Sequence, residues 1–243
     1  MQIAILLAGH TNKAMAKRFV DYPDMFENLF KDLPLGGVIQ RHTFAVIDDI
    51  FPDNIDDFDG FLITGSAYGV YDDAPFIAKL TTLIQQIHAA GKPLVGICFG
   101  HQIIAHALGG FAAKSAKGWG LGTSQINLSN LPDWIKTDRQ DINLIHVHQD
   151  QVETLPATAQ RIASTPFCKN AAYIIGDTVL AFQGHPEFDA EYTSALIDLL
   201  ALKAGSEKAA TAQVSLAQPN HGKTVGNWIL AFFAQHALAP DAL

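Results

Sequence analysis

Short runs that are apolar at nearly every position alternate, over the first hundred residues, with longer runs that are apolar every third or fourth position. "QIAILLAG" (2 to 9), "GFLITGS" (60 to 66) and "PLVGI" (93 to 97) are of the first kind and read as strands. "VIQRHTFAVID" (38 to 48) reads as a further strand. "DYPDMFENLFKDL" (21 to 33) is of the second kind, with a start near Tyr22-Pro23 and Met25, Phe26, Leu29 and Phe30 on one face. "PFIAKLTTLIQQIHAAG" (75 to 91) opens with proline, allowed at a helix start, and closes at Gly91. A helix also follows the strand that ends at 97. This alternation predicts a mostly parallel sheet covered by helices.

From about 111 to 183 the pattern changes. "KGWGLGTSQINLS", "INLIHVHQDQV" and "AAYIIGDTVLAFQGHPEF" read as shorter strands, and the Gly-Asp turn in the last signals a hairpin. An antiparallel extension is expected here. Two helices are expected to finish the chain. The first, 190 to 205, carries Tyr192, Leu196, Leu199 and Leu200 on one face. The second, 224 to 238, carries Val225, Trp228, Ile229, Phe232 and Phe233. The polar, Ala-rich stretch between them reads as a surface connection. The aromatic stripe of the second helix reads as core, with a homodimer face as the alternative. The whole chain, 1 to 243, is expected to be one domain, with residues 190 to 240 packed on it as helices.

Composition supports this and narrows the function. The chain is 49% hydrophobic and 16% charged, with a formal charge of −8. That composition builds a core, and the acidic balance with no basic run argues against nucleic acid as a partner. No apolar run is long enough to cross a bilayer, and the N-terminus lacks a basic leader, so no membrane role is expected. Two cysteines, Cys98 and Cys168, make no disulfide framework. The expected setting is cytoplasmic.

The candidate chemistry begins at Gly96-Ile97-Cys98-Phe99-Gly100. This has the spacing of a nucleophile elbow, a strained strand-to-helix turn whose flanking glycines make room for tight packing. A helix starting just after the sulfur favours a thiolate, and the Phe99 N–H can face an oxyanion. On the pentad alone, a buried structural cysteine remains an equal alternative. A second segment, "FQGHPEF" (182 to 188), sets His185 and Glu187 two residues apart, so that the carboxylate can orient the imidazole while its other nitrogen serves Cys98.

Together these segments resemble the class I glutamine amidotransferases, the type with a Cys-His-Glu triad. "GICFGHQIIAHALGG" resembles their nucleophile motif and "QGHPEF" their His-x-Glu motif. "FLITGS" falls where they have a strand ending in an oxyanion loop. "KGWGLG" and "VHQDQV" resemble their Gly-Trp-Gly turn and His-x-Asp-x-Val segment. "DYPDMF" further resembles stand-alone members close to the glutaminase domain of GMP synthase and to plant γ-glutamyl peptidases.

The resemblance implies a three-layer α/β/α, flavodoxin-like fold. It implies catalytic roles for Cys98, His185 and Glu187 in hydrolysing the γ-amide of glutamine or a γ-glutamyl compound through a thioester. It implies an oxyanion hole from Gly65, Ser66 and Phe99, although many members have glycine where this chain has Ser66. It implies substrate contacts at Gln102, His148, Gln149 and Asp150, a small-molecule substrate, and no cofactor or metal. The ammonia is then released or passed to a separate synthetase, since the chain after 188 is too short for a synthetase domain. A non-catalytic regulator with the same fold is the remaining alternative. "HGKT" (221 to 224) resembles the end of a P-loop, but Ala217 stands where the first glycine belongs. His146 with His148, and His101 with His106, lack a zinc spacing. Cys168 has no elbow and reads as a packed thiol.

Overall fold

In the computed structural model, which describes residues 1–237, a nine-stranded sheet is flanked on both faces. The first half is β1 (Gln2–Leu6), α1 (Tyr22–Phe30), β2 (Gln40–Phe44), β3 (Gly60–Ile63), α2 (Pro75–Ala89), β4 (Leu94–Ile97) and α3 (Phe99–Ala107). Then come β5 (Phe111–Lys114), β6 (Gly120–Leu128), β7 (Asp141–His148), β8 (Asp150–Thr154), β9 (Ala159–Ser164), β10 (Ala172–Ile175) and β11 (Val179–Phe182). Three helices follow: α4 (Ala190–Ala204), α5 (Ser206–Ser215) and α6 (Gly222–Ala237). The strand order is β2-β1-β3-β4-β11-β10-β9-β6-β7, while β5 and β8 form a separate pair. From β2 to β11 the neighbours are parallel; from β11 to β7 they are antiparallel. This is the expected mostly parallel sheet with an antiparallel extension.

The continuously apolar strands follow from burial on both faces. Ile3, Ile5, Leu62, Val95, Ile97, Leu180 and Phe182 point to one face, under α1 and α6. Ala4, Leu6, Phe61, Ile63, Leu94, Val179 and Ala181 point to the other, under α2 and α3. The two sets interleave along each strand, as a period of two requires. In α6, Val225, Trp228, Ile229, Phe232 and Phe233 are buried in the first of these cores. That stripe is therefore not available as a dimer face.

Several boundaries differ from expectation. The strand expected over 38 to 48 is only Gln40–Phe44, because tight 3₁₀ turns at Gly36–Val38 and Val46–Asp48 consume its ends. The strand read as 60 to 66 ends at Ile63, which leaves Gly65 and Ser66 in a loop. The connection after 205 contains α5, whose buried residues are only Ala209 and Ala212, against α4 and β6. The last helix starts at Gly222; Leu238, its expected end, lies outside the described residues, as do 239 and 240. Among the described residues, no helix is long and apolar enough to cross a membrane.

Candidate active site

The parallel strands carry their C-terminal ends to one edge of the sheet, where α/β folds place their sites. Cys98 follows β4 directly and has φ 54° and ψ −101°. A non-glycine residue at positive φ costs on the order of 1–3 kcal/mol and persists only where its surroundings over-determine it. They do so here. The Cys98 N–H donates to the Phe182 carbonyl at 2.9 Å, and its carbonyl accepts from the Gln102 N–H at 3.1 Å. The Gly100 N–H donates to the Thr64 carbonyl at 3.2 Å. The flanking glycines are needed for contact. A Cβ on Gly96 would sit 2.6 Å from the Gly100 backbone, and one on Gly100 would sit 2.3 Å from the Ile63 carbonyl oxygen.

β11 lies beside β4 in parallel, so the segment leaving β11 passes the elbow. His185 N–H donates to the Ile145 carbonyl at 2.8 Å, which ties this segment to β7. The His185 Nδ1 and Glu187 Oε1 lie 2.8 Å apart, with the two side chains 4% and 0% exposed. The other ring nitrogen is left to interact with the Cys98 sulfur. Burial by itself pushes the imidazole down. The Glu187 carboxylate, and then Cys98, override that and hold His185 up at about 10. The three residues expected to act together are brought together.

Phe188 carries no motif signal, yet its ring stacks on His185 with centroids 3.9 Å apart and planes 4° apart. Tyr192 and Tyr22 pack on Phe188 in turn, at 4.6 and 5.8 Å. The imidazole is thus held edge-on by a carboxylate and face-on by an aromatic ring.

The loop after β3 closes the other side. A Cβ on Gly65 would lie 3.0 Å from His185 Cε1 and 3.8 Å from Cys98 Cβ, so the loop runs directly over the pair. The Gly65 carbonyl accepts from Thr64 Oγ1 at 3.1 Å. In a trans peptide this turns the Ser66 N–H the opposite way. Among the described residues, the N–H groups of Gly65, Ser66 and Phe99 donate to no protein group. All three expected oxyanion donors therefore remain free.

The four residues expected to contact substrate form a brace. Gln102 is 3% exposed, and its Nε2 donates to the Asp150 carbonyl at 2.9 Å and to Gln183 Oε1 at 3.2 Å, which uses both amide hydrogens. His148 is equally enclosed and lies with Nδ1 3.0 Å from the same carbonyl. The Gln149 carbonyl accepts from the Ser115 N–H. Gln149 and Asp150 are only partly buried, and the Asp150 carboxylate stands beside Gly69 and Tyr71 with its acidity weakened by burial. A cavity of about 460 Å³ between α1 and the start of α6 backs onto Glu187 and Phe188 and does not include Cys98. Cys168 is buried, its thiol pushed up to about 12 by desolvation, as befits packing.

Three further histidines are buried and neutral. Burial pushes His101 down to about 3, His148 to about 4 and His146 well below its ordinary value. Each takes up a proton more readily when the chain unfolds, so this stability is present above about pH 6.5 and is lost as pH falls. His185, raised instead, adds no pH dependence below that point. The expected result is a steep loss of denaturant-measured stability between about pH 6.5 and 4, with a slope one proton shallower in His146→Leu.

An elbow cysteine with an oriented imidazole and free backbone donors defines the class: a cysteine hydrolase or acyl-transfer site on an α/β sheet. Residues 40–199 match the model of the glutamine amidotransferase class-I family, and the chain belongs to that family. It is 32% identical over 205 residues to γ-glutamyl peptidase 3 of Arabidopsis thaliana, covering 81% of each chain. It is 30% identical over 160 residues to the glutamine-hydrolyzing GMP synthase of Wolbachia pipientis, covering 61% of this chain and 30% of that one. In fold it matches a glutamine amidotransferase from Thermotoga maritima with a TM-score of 0.73, at 15% identity over 99% of both chains. The glutaminase domain of a Trypanosoma brucei CTP synthase matches with a TM-score of 0.61, at 14% identity over 97% of this chain and 94% of that one.

Proposed function

We propose that this enzyme hydrolyses the γ-amide of glutamine or of a γ-glutamyl compound through a γ-glutamyl thioester on Cys98. The observation that carries the reading is the strained Cys98 backbone beside the enclosed His185–Glu187 pair. With the proton already resting on His185, the Cys98 sulfur attacks the amide carbon as the thiolate. The N–H groups of Phe99 and of the Gly65-Ser66 loop receive the oxyanion. His185 then protonates the leaving nitrogen, which departs as ammonia or an amine. In the second half, His185 takes a proton from water, hydroxide attacks the thioester, and glutamate leaves as the sulfur is released. The Asp150 carboxylate offers a negative partner for the ammonium end of the substrate. Gln102, His148 and Gln149 shape the floor beneath it.

The similarity to γ-glutamyl peptidase 3 across four-fifths of both chains favours a chain that acts alone on γ-glutamyl amines or peptides. The similarity to a GMP synthase supports the second reading, a glutaminase that supplies ammonia to a separate synthetase. A panel of glutamine, γ-glutamyl amines, γ-glutamyl peptides and glutathione conjugates tests both, with glutamate and ammonia read separately. Glutamate release by the purified chain from γ-glutamyl amines or peptides supports the first. Release only after an ATP-using synthetase is added supports the second. No release under either condition, with Cys98 unlabelled by a glutamine-like electrophile, contradicts both.

A further inference from the structure

Gln183 stands between β11 and His185. Strand register places it: Phe182 pairs with Ile97, so the next residues on the two strands, Gln183 and Cys98, come side by side. Its side chain is fully enclosed, and its Nε2 donates to Cys98 Sγ at 3.6 Å. Which end of that amide faces the sulfur is fixed by its neighbours rather than by its own shape. The Asp150 carbonyl can only accept, so Gln102 must turn its NH₂ group that way. The same NH₂ group reaches Gln183, which must meet it with oxygen, at 3.2 Å. The amide nitrogen of Gln183 is then left for the sulfur.

We propose that Gln183 is a further catalytic residue of the reaction proposed above, a buried donor to the Cys98 sulfur, and that Gln102 is the positioning residue that keeps its amide from turning over. A hydrogen bond to a charged acceptor is about twice as strong as one to a neutral acceptor. The donor therefore favours the thiolate over both the thiol and the thioester. It assists when the sulfur gives up its proton. It assists again when the second tetrahedral intermediate collapses, the C–S bond breaks and the electron pair returns to sulfur. The inference rests on Cys98 being the nucleophile.

The test follows alkylation of Cys98 by iodoacetamide across pH, with the modified peptide identified by mass, and does not depend on the substrate. Gln183→Met keeps the bulk and removes the donor. Its rate near neutral pH, relative to its own alkaline plateau, is expected to fall roughly tenfold or more against wild type. Gln102→Leu shifts the profile in the same direction by less, and adds little on top of Gln183→Met, because both act through one hydrogen bond. A pH profile identical to wild type in a folded Gln183→Met chain overturns the inference. Should that variant fail to fold, an unchanged profile in Gln102→Leu overturns it instead. A wild-type Cys98 that is inert at every pH removes the proposed function and this inference together, whereas a reactive Cys98 with unchanged profiles in the variants removes only the inference.

Discussion

Cys98→Ala is expected to lower glutamate release by roughly 10⁴-fold or more while the chain stays folded, since removing the nucleophile of such a triad leaves only binding and oxyanion stabilisation. The elbow survives this change. Alanine keeps a Cβ and therefore the same positive φ, and the backbone bonds to Phe182 and from Gln102 involve no sulfur. Thermal melting within a few degrees of wild type, together with the lost turnover, separates chemistry from folding. Retained turnover places the nucleophile elsewhere. Cys168 is a poor substitute, because burial pushes its thiol up to about 12 and it heads no helix.

Glu187→Gln is expected to lower kcat/KM by between roughly 10² and 10⁴-fold, less than loss of the nucleophile, because an orienting group can be partly dispensed with. The pH profile carries the sharper signature. In the wild-type chain, burial drives His185 down, but the Glu187 carboxylate and Cys98 hold it up at about 10. The imidazolium that protonates the leaving nitrogen is thus present through neutral pH and is lost as pH rises through about 10. Removing the carboxylate charge leaves burial less opposed. The alkaline limb of kcat/KM therefore moves to lower pH in Glu187→Gln. An unmoved limb means that Glu187 does not set the charge of His185. Stability has the same sign: the His185–Glu187 contribution is complete below about pH 6.5 and fades as pH rises towards 10.

Much of this was legible in the chain, for reasons that differ by element. The parallel strands are readable because burial on both faces makes β1, β3 and β4 apolar at every position. Cys98 and His185 are readable because the elbow and the His-x-Glu spacing are local patterns. The sequence did not reveal α5, because a helix that buries only Ala209 and Ala212 has no strong apolar period. β2 is shorter than its pattern predicts, since an edge strand with exposed Gln40, His42 and Thr43 has no clean boundary. Gln183 and Phe188 were missed although both sit inside the His185 segment. A glutamine and a phenylalanine beside a motif look like filler in one dimension. The register between β4 and β11 turns one into a partner of the sulfur, and the loop beyond β11 stacks the other on the imidazole. For Gln102 the motif points to the substrate pocket, and only the fold shows that β8 also brings the Asp150 carbonyl to its amide.

The most direct test of the central claim is the intact mass of the chain, quenched in acid while it turns over a γ-glutamyl substrate, with the adduct then mapped by peptide mass. One γ-glutamyl group on Cys98, lost on neutral hydroxylamine treatment and absent from Cys98→Ala, is the result expected here. Sustained glutamate release with no adduct at any quench time, even when a slow thioester-forming substrate is used, or an adduct on Cys168 that persists in Cys98→Ala, contradicts it.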